Sequence, residues 1–231
     1  MRVVCIITAR GGSKRIPRKN VREFCGKPII TYSVEAALES GLFDEVMVST
    51  DDFEIADIAR DCGASIPFMR SAEVSGDLAT TADVLAEVLG AYRETDREFD
   101  AFCCLYPTAP FVTAVKLQEA AAMLEGADCV LSVTRFSFPP QRGMVETDGG
   151  LVWWQPENEL ARSQDLAPVY HDAGQFYFRD VPSFLATGRL IAGRIRSYEV
   201  PETEAQDIDN ESDWVMAEMK YERMVGHGQD A

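Results

Sequence analysis

The chain has 231 residues, of which 46% are apolar, and its 38 acidic and 22 basic side chains give a formal charge of −16. This length allows one sizeable α/β domain with a small appendage. The acidic excess argues against a broad nucleic-acid surface, and the lack of any apolar run of about 20 residues argues against a membrane span.

Apolar β-rich runs alternate with helical patterns over the first 134 residues. Strands are predicted over 3–7, 45–50, 101–106 and 129–134, with a short extended piece over 65–68. Helices are predicted over 29–39, 52–62, 80–92 and 115–124, the second capped by Asp51 or Asp52 and the third from Thr80. This order indicates an α/β fold with a doubly wound, mostly parallel sheet and helices on both faces.

The alternation stops between Arg135 and about Val169. Pro139-Pro140, Gly149-Gly150 and Trp153-Trp154 occur there without helical period, which indicates an inserted hairpin-like excursion. Its aromatic residues and prolines suit a dimer contact, although an ordinary long loop explains them equally well. Strands over 175–178 and 195–200 and a closing helix over 213–224 complete a single predicted domain, 1–231, with an insertion at about 135–170.

The start of the chain and its cysteines indicate the cellular compartment of the protein. A β-rich run begins almost at once, without the pattern of a signal peptide. The six cysteines lie mostly in apolar runs and form no CxxC pair, so we expect reduced, buried thiols. These features predict a cytoplasmic protein without a zinc site.

A basic loop, ARGGSKRIPRKN (residues 9–20), follows the first predicted strand. Ligands of open α/β sheets bind beyond the carboxyl ends of strands. Gly11 and Gly12 let the backbone approach a ligand, and consecutive amides can form an anion-binding nest. Arg10 and Lys14 can reach phosphate oxygens. We interpret the loop as a polyphosphate cradle, the alternative being a solvated run of charge.

Two other phosphate-binding loops do not fit this segment. A Walker A loop requires a second glycine before Lys14, and a dinucleotide fingerprint requires G-x-G-x-x-G with an immediate helix. Here Pro17 and the segment Gly26-Lys27-Pro28 delay the helix. A NAD-dependent oxidoreductase is therefore disfavoured.

The segment Gln206-Asp207-Ile208-Asp209 is a candidate metal site. On an extended segment Asp207 and Asp209 would share a face, with Cα atoms about 7 Å apart. That spacing lets two carboxylates share a hydrated Mg²⁺. The alternative is a turn in which Asp209 or Ser212 caps the last helix, but the nearby phosphate cradle favours the metal.

Two further polar segments extend the candidate site. YPTAP places Tyr106 and Thr108 at the carboxyl end of a strand, where a simple strand-ending turn fits equally well. VYHDAGQFYF places His171, Asp172 and Gln175 among aromatic residues. Such a cluster indicates a hydrogen-bonding pocket for a polyol, although a lone histidine is more often structural.

Together these motifs resemble the sugar nucleotidyltransferases, whose signature is a glycine-rich loop ending in Pro and Lys. The strings ARGGSKRIPRKN, FCGKPII, STDD, PFMR, PTAP, HDAGQFY and QDID are similar to those of cytidylyltransferases that activate nonulosonic acids, which are nine-carbon α-keto sugar acids. The resemblance covers residues 3 to about 221. RSQDL and YHDAGQFYF, from Arg162 onward, most closely resemble the pseudaminic-acid branch.

The resemblance implies a Rossmann-like nucleotidyltransferase fold that converts CTP and a nonulosonic acid to a CMP-sugar and pyrophosphate. It also implies Mg²⁺, no nucleic-acid or membrane partner, and a homodimer whose insertion reaches the neighbour's sugar site. The nucleotide-binding residues implied are Ala9, Arg10, Gly11, Gly12, Ser13, Lys14, Asn20, Arg70 and Thr108. The sugar-binding residues implied are Tyr106, Arg142, Arg162, His171, Gln175 and Tyr177.

The catalytic residues that the resemblance implies are Arg10, Lys14, Lys19 and Asp209, with Asp207 and Asp209 as Mg²⁺ ligands. Lys19 would approach the reacting phosphate or the sugar acid. Asp209 acting through a metal-bound water, and a metal-activated hydroxyl without a dedicated base, are equally open.

The chain departs from the sialate-activating pattern in three places. Thr8 replaces a common Pro, Tyr106 replaces a Gln, and HDAGQ replaces an NGA-like segment. The last two favour pseudaminate as the substrate. The alternatives are a cytidylyltransferase for N-acetylneuraminate, legionaminate or 3-deoxy-octulosonate and, from another class, a non-catalytic nucleotide-sugar-binding module.

Overall fold

A computed structural model describes residues 1–227 of the chain. The strands are β1 (Val3–Thr8), β2 (Glu23–Phe24), β3 (Lys27–Pro28), β4 (Glu45–Ser49), β5 (Ala101–Leu105), β6 (Cys129–Arg135), β7 (Met144–Thr147), β8 (Gly150–Trp153), β9 (Tyr170–Asp180) and β10 (Ile195–Glu199). The helices are α1 (Ile29–Ser40), α2 (Phe53–Asp61), α3 (Thr81–Glu94), α4 (Ala114–Ala122), α5 (Val181–Thr187) and α6 (Glu211–His227).

Six strands form the central sheet in the order β10-β6-β9-β5-β1-β4. β1 pairs in parallel with β4 and β5, and β10 pairs in parallel with β6. β9 runs antiparallel between β5 and β6. The predicted mostly parallel sheet is confirmed, with β9 as its antiparallel member.

Helices cover both faces of this sheet. One face packs against α1 and α4 through Val34 and Leu117, and the other packs against α3 and α5 through Leu85 and Phe184. Residues 4–7 of β1 are fully buried between these layers. Burial on both faces explains why this strand is a continuous apolar run rather than an alternating one.

Capping residues fix where α2 and α3 begin beside the candidate site. The Asp52 carboxylate accepts a hydrogen bond from the Ile55 amide, so Asp52 rather than Asp51 caps α2. Thr80 and Asp83 form a capping box at the start of α3, as the sequence predicts for Thr80. Asp51 is left available for another contact.

Two predicted β segments differ in extent from the structure. The short extended piece over 65–68 makes a single isolated bridge, from Ser65 to Met47, and Pro67 has no amide to continue a ladder. The strand predicted over 175–178 extends over all of β9. Because β9 is antiparallel, its first residues lie at the same edge as the carboxyl ends of β5 and β6.

The inserted segment contains a two-stranded hairpin, β7–β8, as predicted. Apolar side chains on both of its faces are exposed, among them Met144, Val145, Leu151, Val152 and Trp154. Its use as a dimer contact stays a prediction. Separately, no helix within residues 1–227 combines the length and apolar character needed to cross a membrane.

The cysteines are free thiols, as expected, but not all are buried. Cys25 is exposed, in the turn between β2 and β3. Its φ of 44° places it in the left-handed region that suits such a tight turn. Cys62 is half-buried, so the expectation of burial holds only for the other four.

Candidate active site

A cavity of about 500 Å³ opens where β1 and β5 end. Its walls come from the loop after β1, the segment before α3, the turn after β5 and the loop before α6. Ligands of open α/β sheets bind at such a position. The sequence-predicted residues that line it are Arg10, Ser13, Lys14, Lys19, Asn20, Arg70, Tyr106, Thr108 and Asp209.

Two aspartates that follow β4 hold the basic loop in shape. The Gly11 amide donates to Asp51 Oδ1 at 2.8 Å, across 40 positions of sequence. A Cβ added to Gly11 would lie 2.7 Å from Asp52 Oδ2, so this close approach requires glycine. Asp52 also accepts a hydrogen bond from Arg18 Nη1 at 2.5 Å, and that bond holds the pKa of Asp52 below its usual range.

The loop offers fewer free amides than its sequence suggests. The Gly11 amide is used by Asp51, the Ser13 amide donates to the Gly11 carbonyl at 3.0 Å, and the Ala9 amide donates to the Ser49 carbonyl at 3.0 Å. These three amides therefore form no anion nest in this conformation. The positive character of the cavity comes from side chains instead.

The two basic side chains predicted to hold phosphate converge on one carboxylate. Arg10 Nη1 lies 3.2 Å from Asp77 Oδ1, and Lys14 Nζ contacts Asp77 Oδ2. The hydrogen bond with Lys14 holds the pKa of Asp77 below its usual range. All three side chains are exposed, so these ion pairs are individually weak. Their convergence nevertheless matches what a phosphate group requires.

Arg70 is a buried cation that lines the cavity. It is 8% exposed and donates from Nε to Ser49 Oγ at 3.0 Å and from Nη2 to the Ser49 carbonyl at 2.6 Å. Burial lowers the pKa of Arg70, although the charges of Asp51 and Glu87 act against this. No carboxylate within residues 1–227 lies within 4.0 Å of its guanidinium. Because a buried unpaired charge is costly, the site favours an anionic ligand.

Lys19 joins the basic loop to the segment with the paired aspartates. Its Nζ donates to the Ile208 carbonyl at 2.6 Å and lies 3.9 Å from Asp209 Oδ1. Arg15 Nη2 binds the same Asp209 oxygen at 2.7 Å. Burial lowers the pKa of Lys19, while the charges of Asp209 and Asp207 oppose that change.

Asp207 and Asp209 are the candidate ligands of a divalent cation, although only Asp209 lines the cavity. They flank Ile208, which is fully buried. Asp207 keeps contact with solvent. Partial burial raises its pKa, and the charge of Asp209 raises it further. A bound cation would offset both effects, because it stabilises the charged carboxylate. No cluster of three potential ligand residues exists within the described chain. Water and phosphate oxygens would complete the coordination, an arrangement typical of Mg²⁺.

The alternative role of Asp209 as a helix cap is excluded by the start of α6. The Asn210 carboxamide oxygen accepts a hydrogen bond from the Asp213 amide at 3.1 Å, and Asp213 Oδ2 accepts one from the Asn210 amide at 3.0 Å. Asn210 therefore caps α6, rather than Asp209 or Ser212. The Asp209 carboxylate is left for the cavity, which it lines.

Tyr106 is the one residue of the predicted sugar set that lines the cavity. Its ring packs against Tyr177, with centroids 5.4 Å apart. The Tyr177 hydroxyl donates to Asp172 Oδ2 at 2.7 Å, and the Gly174 amide donates to Asp172 Oδ1 at 2.8 Å. Asp172 thus lies behind this wall and is bound to it through Tyr177; the sequence had placed Asp172 in the same polar cluster.

The three β9 residues predicted to bind the sugar do not line the cavity. Gln175 is 1% exposed and donates to the Glu204 carbonyl at 2.6 Å, and Tyr177 is 2% exposed. His171 is exposed and its ring packs against Phe136, with centroids 4.7 Å apart. Direct contacts of these three with a sugar stay predictions.

Arg142 and Arg162 lie in the insertion and do not line the cavity. Both are exposed, and Arg162 Nε pairs with Asp165 Oδ2 at 2.9 Å. One copy of the chain therefore does not bring them to the basic loop. Their role across a dimer stays a prediction.

Known proteins of similar sequence are cytidylyltransferases and CMP-sugar synthases. A family model described as cytidylyltransferase matches residues 4–211. The pseudaminic acid cytidylyltransferase of Campylobacter jejuni is 38% identical, over 96% of this chain and 97% of its own. The CMP-N,N'-diacetyllegionaminic acid synthase of Legionella pneumophila is 32% identical, over 96% of this chain and 97% of its own.

Among solved structures, that of a CMP:2-keto-3-deoxy-manno-octonic acid synthetase complexed with CTP superposes with a TM-score of 0.69. It covers 98% of this chain and 100% of its own, at 19% sequence identity. This likeness concerns the fold, and it confirms the predicted nucleotidyltransferase architecture.

Proposed function

This chain belongs to the cytidylyltransferase family, and from that premise we propose that it converts CTP and a nonulosonic acid, preferentially pseudaminic acid, to a CMP-sugar and pyrophosphate. The observation that carries the proposal is the convergence of Arg10, Lys14 and the buried Arg70 on one cavity at the carboxyl ends of the strands. The full-length similarity to a pseudaminic acid cytidylyltransferase supports the choice of acceptor.

The basic side chains would hold the triphosphate. Arg10 and Lys14 exchange the Asp77 carboxylate for phosphate oxygens, and Arg70 adds a buried positive charge that water does not screen. Asn20 donates from Nδ2 to the Arg10 carbonyl at 2.9 Å, which fixes the loop that carries these cations. Positioning and charge stabilisation are the main sources of rate enhancement in such transfers.

The chemical step is an in-line displacement at the α-phosphorus. The anomeric hydroxyl oxygen of the acceptor forms the new bond to phosphorus, the bond to the β-phosphate oxygen breaks, and pyrophosphate leaves. Lys19, held by the Ile208 carbonyl, would stabilise charge that develops on the transferred phosphate. The hydroxyl proton passes to Asp209 or to solvent, and the two routes remain alternatives.

A metal ion belongs to the proposal. Asp207 and Asp209 would hold Mg²⁺, which when bound would neutralise charge on the phosphate groups. Arg15 Nη2 binds Asp209 Oδ1, so a cation held there would compete with Arg15 for this carboxylate, while Lys19 would stay bound to the Ile208 carbonyl.

A homodimer completes the proposed enzyme. The β7–β8 hairpin exposes apolar side chains on both faces, and a second copy of the chain would cover them. Within this single domain, the insertion would then carry Arg142 and Arg162 to the neighbour's sugar site. Free cysteines suit the reducing cytoplasm, where we place the enzyme. The lack of a nucleic-acid or membrane partner stays a prediction.

The proposal is tested by measuring pyrophosphate release from CTP and Mg²⁺ with pseudaminic, legionaminic and N-acetylneuraminic acids in parallel. We expect release with pseudaminic acid at the highest kcat/KM. Faster release with another acid would keep the reaction and correct the substrate. CTP binding without release from any acid would instead support the non-catalytic binding module.

A further inference from the structure

Side-chain contacts lead from the cavity wall at Tyr106 to an aspartate on β9. Asp172 lies in the first part of this antiparallel strand, paired with Val133 near the carboxyl end of β6. The Tyr106 ring, which lines the cavity, packs against Tyr177, whose hydroxyl binds Asp172. Two tyrosine side chains, Tyr106 and Tyr177, therefore connect the cavity surface to Asp172, which is itself exposed.

The Asp172 carboxylate is held in one orientation. Its Oδ1 accepts a hydrogen bond from the Gly174 amide at 2.8 Å, and its Oδ2 accepts one from the Tyr177 hydroxyl at 2.7 Å. Burial raises the pKa of Tyr177, and the neighbouring Tyr106 and Asp172 raise it further, so this hydroxyl stays a neutral donor. Each carboxylate oxygen keeps a second lone pair for another donor.

No cation satisfies this fixed carboxylate within residues 1–227, since no Lys or Arg nitrogen lies within 4.0 Å of it. Its hydrogen-bond partner Gly174 lies close to Asp207, one of the proposed metal ligands: a Cβ added to Gly174, whose φ is 63°, would lie 3.7 Å from Asp207 Cγ. Asp172 thus contacts Tyr177, behind the Tyr106 wall, on one side and Gly174, which adjoins Asp207, on the other.

We propose that Asp172 is a specificity-determining residue that accepts hydrogen bonds from O–H or N–H groups of the acceptor and repels the acceptor's own carboxylate. This inference rests on the proposed function. A sugar acid has many donors and one anionic end, so a fixed anion beside the wall selects one of its two orientations. The selected orientation turns the anionic end away from Asp172, so that the anomeric hydroxyl can face the α-phosphate.

Asp172→Asn tests this proposal, because it removes the charge with little change in size. We expect the KM for the acceptor to rise about tenfold or more, while the KM for CTP stays within about twofold. The preference for an acceptor with acylamino groups over one without them should also shrink. Asp172→Glu, which keeps the charge, should recover part of the acceptor KM.

Tyr177→Phe is the matched control, because it removes one anchor of Asp172 and keeps the charge. Its effect on the acceptor KM should be smaller than that of Asp172→Asn. An unchanged acceptor KM in Asp172→Asn, or an equal rise in both KM values, would overturn this inference alone. If the wild-type protein releases no pyrophosphate with any sugar acid, the proposed function fails and the inference fails with it.

Discussion

Asp77 is an acidic residue that lines the candidate site. Its carboxylate binds both Arg10 and Lys14, the two side chains proposed to hold phosphate. Under the proposed function, the segment before α3 would therefore compete with the nucleotide for the same cations. A ligand with more negative charge and more acceptor oxygens would displace it.

Asp77→Asn should strengthen the binding of inorganic pyrophosphate. The variant removes the internal competitor, and exposed ion pairs are weak, so we expect a gain in affinity of about two- to fivefold. Titration calorimetry at neutral pH measures it. Asp61→Asn, at the far end of α2, controls for the loss of one negative charge. A weaker affinity in Asp77→Asn would mean that Asp77 supports the site rather than competing for it.

At the residue scale, the sequence predicts which basic side chains line the cavity but not which residues they contact. Among the basic side chains that line this one cavity, Arg10 and Lys14 follow β1, and Arg70 follows the bridge that Ser65 makes to Met47 beside it. Their contacts with Asp77 and Ser49 join residues far apart in the sequence. No local pattern encodes such pairs.

The loop between β1 and α1 depends on its packing against the start of α2. Gly11→Ala would place a Cβ 2.7 Å from Asp52 Oδ2, while the Gly11 amide is held by Asp51. The loop would have to shift, at a strain of about 1–3 kcal/mol. We expect pyrophosphate release to fall at least about tenfold, because the cations move with the loop.

The matched control for this substitution is Gly90→Ala. Gly90 lies in α3, and apart from the backbone of its own helix no atom would lie within 4 Å of its added Cβ. We expect normal release and a gain in stability of about 0.5–1 kcal/mol, measured by thermal unfolding. A wild-type rate in Gly11→Ala would show that the close approach to Asp52 does not position the basic loop.

Among the elements, β9 is a strand whose direction the sequence does not predict. The apolar run predicts a buried strand, but a continuous run contains no information on direction. Its antiparallel pairing follows from the returning path of the insertion, and that pairing places His171 and Asp172 opposite the carboxyl end of β6. The seven-residue α5 was not predicted, because so short a helix has too few turns for a periodic signal.

For the whole molecule, the exposed hairpin predicts assembly. Val152 pairs with Val145 on one face of the hairpin, and both are exposed in the single chain. Val152→Glu should give a monomer in sedimentation velocity, whereas the wild-type protein should sediment as a dimer, because a buried unpaired charge is costly. Val115→Glu, on α4, is the control that should stay dimeric. A monomeric wild-type protein would contradict the proposal.

The overall architecture is the feature that the sequence predicts best. Alternating strand and helix patterns predict the doubly wound sheet, because each helix must bury one face against it. An insertion is predicted because Pro139-Pro140 and Gly149-Gly150 interrupt that alternation, and the hairpin β7–β8 lies in it. Whether a second copy covers the insertion could not be derived, since that depends on surfaces of two chains.

The most direct test of the central claim is pyrophosphate release by Lys14→Ala at saturating acceptor, with Arg60→Ala as the control. Arg60 is an exposed basic residue on α2 that pairs with Asp57. If the basic loop holds the CTP triphosphate, Lys14→Ala should lose about 100-fold in rate and keep its thermal stability, while Arg60→Ala behaves as wild type. An unchanged rate in Lys14→Ala would contradict the account.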